Sequence, residues 1–190
     1  LNLTGEKPMR KGKTMARVLM NDWMRKKNQI SLSYRNAFRN AENYITIVGA
    51  YFMPGRKLKK YIREATARGV QVKVILSKSS DELVFRLAMN YLYDWLLRHG
   101  VLIYEYEPSV LHGKAAVADD IWTTIGAHDL NFLSTYGLIE TNIDILDKKF
   151  SINFNDYINE VIREKCRLIT NDQLPKRHLY ERFLSWLAYQ

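Results

Sequence analysis

At 190 residues, 47% hydrophobic and 26% charged, the chain can bury one substantial core and has neither a disordered nor a fibrous composition. Its single cysteine, Cys166, excludes an intramolecular disulfide and a cysteine-rich zinc site; set among Ile158, Val161 and Ile162, it reads as a core thiol. The net charge of +9 points to an anionic partner, and +6 of it falls in residues 1–27, where Lys7, Arg10, Lys11, Lys13, Arg17, Arg25, Lys26 and Lys27 meet only Glu6 and Asp22.

That basic lead-in reads as a solvated arm or as a contact for phosphates or a membrane surface. After it, Ile30, Tyr34, Ala37, Phe38 and Ala41 fall at helical spacing. Tyr44-Ile45-Thr46-Ile47-Val48 reads as a buried strand running out to a breaker at Pro54-Gly55. Leu58, Tyr61, Ile62 and Ala65 mark an amphipathic helix with Arg56, Lys57, Lys59, Lys60 and Arg63 on its other face and Gly69 at its end. A second strand over 70–76 completes a strand, helix, strand unit, which implies parallel pairing and an α/β class.

A capping signal at Ser80 precedes a long helix carrying Val84 to Trp95 and ending at His99-Gly100, and a third strand covers 101–106. Asp119-Asp120 is placed to turn a hairpin into Ile121–Ile125. In a strand over 139–145, Ile139, Thr141, Ile143 and Ile145 share one face and Glu140, Asn142 and Asp144 the other. Helices follow near 150–167 and along the stripe Leu179, Phe183, Trp186 and Leu187. The organisation is one domain over 28–190 behind the lead-in of 1–27. Trp23, Trp95, Trp122 and Trp186 are read as core, His99 as a helix-end dipole partner, His178 as surface and His128 as a loop residue. No run approaches the roughly 20 apolar residues that span a bilayer. With Leu1 rather than Met first, the chain is expected to be part of a longer protein.

The chemistry concentrates in Leu111-His112-Gly113-Lys114-Ala115-Ala116-Val117-Ala118-Asp119, a β-prone apolar run with ionisable residues set into it. If extended, it puts His112 and Lys114 on one face, aimed together at an anion, and Asp119 on the other.

His112, Lys114 and Asp119 fit His-x-Lys-x4-Asp, with Gly126 further on, and this pattern resembles the signature of the phospholipase D superfamily. The likeness is strongest to the C-terminal half of the bacterial cardiolipin synthase branch. It extends to Ala50-Tyr51-Phe52-Met53-Pro54, Arg68-Gly69-Val70-Gln71-Val72, His99 to Tyr106 and the tail from Arg167 to Ala188. The resemblance implies a mixed β-sheet flanked by helices on both faces with C-terminal helices packed on it. It also implies phosphatidyl transfer or hydrolysis through a phosphohistidine, without metal or other cofactor. It assigns His112, Lys114, Asp119 and Glu140 to the catalytic set, with His112 the nucleophile, Glu140 its pairing carboxylate and Asp119, by its parity, an anchor.

Lys114, Gly126, Asp129 and Asn131 form the expected phosphate-binding set. Ala127 and Asp129 stand where the family has Ser and Asn, so a methyl group and a carboxylate replace two donors. An anion there repels phosphate unless it is protonated or paired, with Lys114 or His128 the candidate partners. One motif is present and the family's site needs two, so the expected partner is a second such half in the same full-length chain or a homodimer mate. The implied substrate is an anionic phospholipid at a membrane surface, in a bacterial protein associated with the cytoplasmic membrane. A homodimeric metal-independent nuclease is the less favoured alternative, and a degenerate half acting as scaffold or anionic-lipid-binding domain is another.

Overall fold

A computed structural model describes residues 14–78 and 83–173. Ser80, His178 and the closing helical stripe lie outside the described residues. Helix α1 (Gln29–Asn40) leads into β3 (Tyr44–Gly49), α2 (Arg56–Ala67) into β4 (Gln71–Ser77) and α3 (Leu83–Arg98) into β5 (Leu102–Tyr106). The three strands pair in parallel, since helices on the sheet face connect them. Gly69 (φ +90°) and Gly100 (φ +73°) follow α2 and α3 in the left-handed conformation that ends both helices at little steric cost.

The hairpin is β6 (Ala115–Ala118) and β7 (Trp122–Gly126), with Asp119 at φ 48° and Asp120 at φ 56°. The Ile121 N–H donates to the Ala118 carbonyl at 3.1 Å, and two successive positive φ values match the twist of the paired strands. β6 lies antiparallel to β3, and β7 to β8 (Ile139–Leu146). Between β7 and β8 runs a short helix, α4 (Phe132–Tyr136). After α5 (Lys148–Lys165), β9 (Cys166–Ile169) pairs with β5 at the edge.

Three strands depart from the sequence reading. Met15–Asp22, within the basic lead-in, is β1, and it pairs along its whole length with β8; β2 (Lys27–Asn28) is a short outer strand. Arg17 and the flanking cations conceal it, because an edge strand tolerates charge on its solvent side. Cys166 begins β9 rather than ending a helix, and partial burial pushes its thiol up. Among the described residues the sheet order is β2-β1-β8-β7-β6-β3-β4-β5-β9, a mixed α/β architecture.

The larger core lies between the sheet and α1, α2 and α3, around Ile30, Phe38, Ile45, Ile47, Ile62, Val74 and Leu96. A smaller one under α5 holds Ile75, Val117 and Ile158. Trp122 belongs to the main core, Trp95 is half-buried, and Trp23, read as core, is exposed.

The alternation of β8 is as read, but its polar face is the buried one. Asn142 and Asp144 are each 1% exposed, whereas Ile139 and Ile143 are 56% and 45% exposed. Buried polar atoms persist where they are paired. The Ser33 hydroxyl and the Trp122 indole N–H (3.1 Å) both donate to the Asp144 carboxylate, with Arg17 at 3.5 Å. Asn142 donates to Thr124 Oγ1 at 3.2 Å and accepts from the His128 N–H at 3.2 Å. Asn21 of β1 accepts from the Ile30 and Ser31 N–H groups, satisfying the start of α1, where Asn28 makes no side-chain cap. On the other face Val18, Ile143 and Ile125 lie in register as an exposed apolar row.

Candidate active site

The motif lies at the carboxyl ends of β3, β4 and β5, where β6 begins and β7 ends, the edge at which open α/β sheets bind ligands. Residues 111–114 are irregular, because β6 pairs with its neighbours only from Ala115 onward. The segment is tied down at both ends: the Leu111 N–H donates to Ser77 Oγ at 3.2 Å, and the Lys114 carbonyl accepts from the Gly126 N–H at 3.0 Å.

The strand alternation expected of His112 and Lys114 therefore stops short of them. The His112 ring is exposed, whereas the Lys114 side chain turns inward and is only 8% exposed. Its ammonium lies 3.4 Å from Asp129 Oδ2 and donates to the His112 carbonyl at 3.2 Å.

Asp129 is nearly buried and its other oxygen accepts from the Tyr51 N–H at 3.1 Å. The loop after β3 thus holds the carboxylate, and the Met53 N–H donates to the Leu130 carbonyl at 3.1 Å beside it. Asn131, assigned to phosphate by resemblance, is engaged within its own loop: its Oδ1 accepts from the Ser134 N–H at 2.8 Å, opening α4, and its amide faces the Tyr51 carbonyl at 3.5 Å.

Glu140, at the start of β8, accepts from the Ser134 hydroxyl at 3.3 Å; no hydrogen bond or ion pair joins it to His112 among the described residues. Burial pushes its carboxyl up and Asp129 adds to the rise, while Ser134 and Lys114 oppose it. Lys114, Asp129 and Glu140 therefore share one electrostatic cluster, with His112 at its solvent side. Ser134 and the Tyr51 backbone have no signature in the chain, since neither resembles a motif residue.

Asp119 lies at the far end of the hairpin from this cluster. Its carboxylate accepts from the N–H groups of Glu42 (2.7 Å), Asn43 (2.9 Å) and Tyr44 (2.8 Å), tying the α1–β3 connection to the turn. Such charge-assisted bonds are a structural clamp.

Residues 34–162 match the family model described as "Cardiolipin synthase, PLD-like domain". The chain belongs to this phospholipase D-like cardiolipin synthase family. It is 32% identical over 178 residues to cardiolipin synthase B of Shigella flexneri, covering 94% of this chain and 43% of that protein. The chain thus spans rather less than half the length of that relative. Among solved structures, Nuc of Salmonella typhimurium, a phospholipase D family member, superposes with a TM-score of 0.68 at 15% identity, covering 84% of this chain and all of that one. Phosphatidylserine synthase of Haemophilus influenzae gives 0.72 at 13% identity, covering 90% of this chain and 44% of its own. Both likenesses show the fold.

Within this phospholipase D-like framework Gly126, assigned to phosphate by resemblance, has a steric reason to be glycine. A Cβ there would collide with Asn142 Oδ1 and the Thr141 carbonyl, and would stand 2.6 Å from Asn142 Cα. Because backbone cannot yield cheaply, Gly126→Ala is expected to destabilise the fold by about 2–4 kcal/mol. Urea denaturation checks this; a loss below about 1 kcal/mol would show that β7 and β8 separate easily there.

His128 is 2% exposed and packs near Tyr34 at 6.5 Å, and its Nδ1 has no hydrogen-bond partner among the described residues. Burial lowers its pKa from 6.5 to about 4. The native state thus keeps the ring neutral while an unfolded chain protonates it. Stability is at its full value above about pH 6.5, and about 3 kcal/mol is lost as the pH falls toward about 4. Denaturation from pH 7 to 4.5 is expected to show this loss, and His128→Asn should flatten it; parallel curves for both proteins would contradict it.

Proposed function

We propose that the chain is one half of a phosphatidyl-transferring or phosphatidyl-hydrolysing site, completed by a second phospholipase D-like half. The observation that carries this reading is the exposed His112, with the inward Lys114 ammonium on its backbone carbonyl, at the carboxyl edge of the sheet in a chain of this family. His112 attacks the phosphorus of a phosphodiester, forming a P–N bond as the P–O bond to the leaving alcohol breaks. A histidine of the second half protonates that alcohol. The same histidine then removes a proton from an acceptor alcohol or water, whose oxygen attacks phosphorus and releases His112. An imidazole ring nitrogen offers the lone pair that attacks phosphorus and forms a P–N bond that water or an alcohol can later break. Lys114 stabilises the charge gathering on the non-bridging oxygens. Glu140 orients the imidazole in the closed complex, where catalytic hydrogen bonds tighten.

The site's surroundings favour a lipid over a nucleic acid. Large apolar side chains stand exposed next to the motif residues in the chain: Val110 before His112, Phe132 after Asn131, and Leu138 before the strand that carries Glu140, with Tyr136 against Phe132 at 5.0 Å. Such a rim suits acyl chains at a membrane surface. Among the described residues no helix is long and apolar enough to cross a membrane, so the proposed membrane association would run through this rim, the basic residues or segments elsewhere in the protein.

A homodimeric phosphodiesterase on nucleic acid is a second reading. It is favoured by the +9 charge and by the full coverage of the single-domain Salmonella fold. The test gives the full-length protein phosphatidylglycerol vesicles or single-stranded DNA in excess chelator. Chelator-resistant production of cardiolipin or phosphatidate is expected. Chelator-sensitive turnover would overturn the histidine mechanism, and cleavage of DNA alone would transfer the site to the second reading.

A further inference from the structure

Lys114 already has an anionic partner before any substrate arrives. The pair with Asp129 is nearly closed to water, 8% and 11% exposed, and the carboxylate cannot swing away freely because the Tyr51 N–H holds its second oxygen. Glu140 lies within the field of both groups. The cluster thus offers a phosphate an ammonium whose charge is offset, with a further carboxylate nearby.

Ligand charge then decides binding. A phosphodiester carries one negative charge, and a phosphomonoester above its second ionisation carries two. Each ligand charge meets the fixed carboxylate once, so the repulsion from Asp129 doubles for the dianion while the geometry of its oxygens is unchanged. We propose that Asp129 is a specificity-determining residue of this half-site: it offsets Lys114 so that singly charged phosphodiesters are accepted and doubly charged phosphomonoesters are turned away. The proposal rests on the phosphodiester reading given above and adds the charge class of the ligand. It has a consequence for turnover. Hydrolysis of a phosphodiester leaves a phosphomonoester, whose second charge drives it out of the site, so product inhibition is weak.

Asp129→Asn isolates the charge. The amide keeps an oxygen for the Tyr51 N–H and has nearly the same shape, so the loop is retained and only the anion is lost. Binding of dimethyl phosphate and of inorganic phosphate to the full-length protein at pH 8 is followed by calorimetry or phosphorus NMR. Because the repulsion scales with ligand charge, the substitution is expected to tighten dimethyl phosphate on the order of tenfold and inorganic phosphate on the order of a hundredfold. Asp129→Ser, smaller and still able to accept from Tyr51, provides a second variant should the amide disturb folding.

Equal gains for the two ligands, no gain, or weaker binding of both would overturn the role of Asp129. Lys114→Ala separates the two levels of the reading. If it abolishes binding while the Asp129 variants change nothing, Lys114 remains the phosphate ligand and only the charge filter falls. If Lys114→Ala binds both anions like the wild type, or the wild type and the Asp129 variants bind neither, the phosphodiester site and the filter fall together.

Discussion

His112→Ala is expected to lower turnover by about a thousandfold or more while leaving the thermal midpoint where it was. The two halves of this expectation have separate causes. The imidazole carries the bond to phosphorus in the proposed reaction, and no neighbouring side chain replaces it: Lys114 is committed to Asp129, and Glu140 to Ser134. The ring is exposed and contributes little packing, and the hydrogen bond that the residue makes among the described residues, from the Lys114 ammonium, is to a backbone carbonyl that alanine retains. Phosphatidyl transfer and thermal unfolding measured on one preparation check both. Activity within tenfold of wild type would remove His112 from the reaction, and a large fall in midpoint would make the lost activity uninformative. Lys114→Ala is less clean, since it strands a nearly buried carboxylate, at a cost of about 3 kcal/mol.

Asp119→Ala is expected to give the largest loss of stability among motif substitutions, about 3–5 kcal/mol. It removes the acceptor for the N–H groups of Glu42, Asn43 and Tyr44 and puts a Cβ-bearing residue without a local hydrogen bond at φ 48°. Asp119→Asn keeps one oxygen acceptor and suits the left-handed region, so about half of that loss is expected. Because the clamp is remote from Lys114, the folded Asn variant should keep turnover within about tenfold. Urea denaturation with activity at matched folded fraction distinguishes the roles. A stable Asn variant without activity would place Asp119 in the chemistry, and an Ala variant losing under about 1 kcal/mol would refute the clamp.

The parallel unit was legible because its signals are local. Gly69 and Gly100 mark helix ends, β-branched runs mark β3 and β4, and Asp119-Asp120 marks a turn that demands positive φ. What escaped depends on neighbours distant in the chain. β1 is stabilised by β8, over a hundred residues away, and its own composition is basic. β9 follows α5 without glycine or proline to announce the change. In β8 the usual association of apolar with buried is reversed, since Ser33, Trp122 and Thr124 supply partners that the strand alone does not reveal.

The site shows the same division. The spacing of His112, Lys114 and Asp119 is readable, and the sequence offers Lys114 and His128 as partners for Asp129. Which partner is taken, and that Tyr51 and Ser134 hold the carboxylates, follows only from how the loops after β3 and β7 meet. The exposure of His112 likewise depends on where the sheet stops pairing.

The most direct measurement traps the intermediate. Full-length protein incubated briefly with lipid labelled in the phosphate, quenched in base and digested should yield one peptide carrying acid-labile label, with the phosphatidyl phosphorus on the imidazole of His112. The label should vanish in His112→Ala, and in Lys114→Ala it should fall sharply. Acid-stable label on another residue, or undiminished labelling in His112→Ala, would contradict the account.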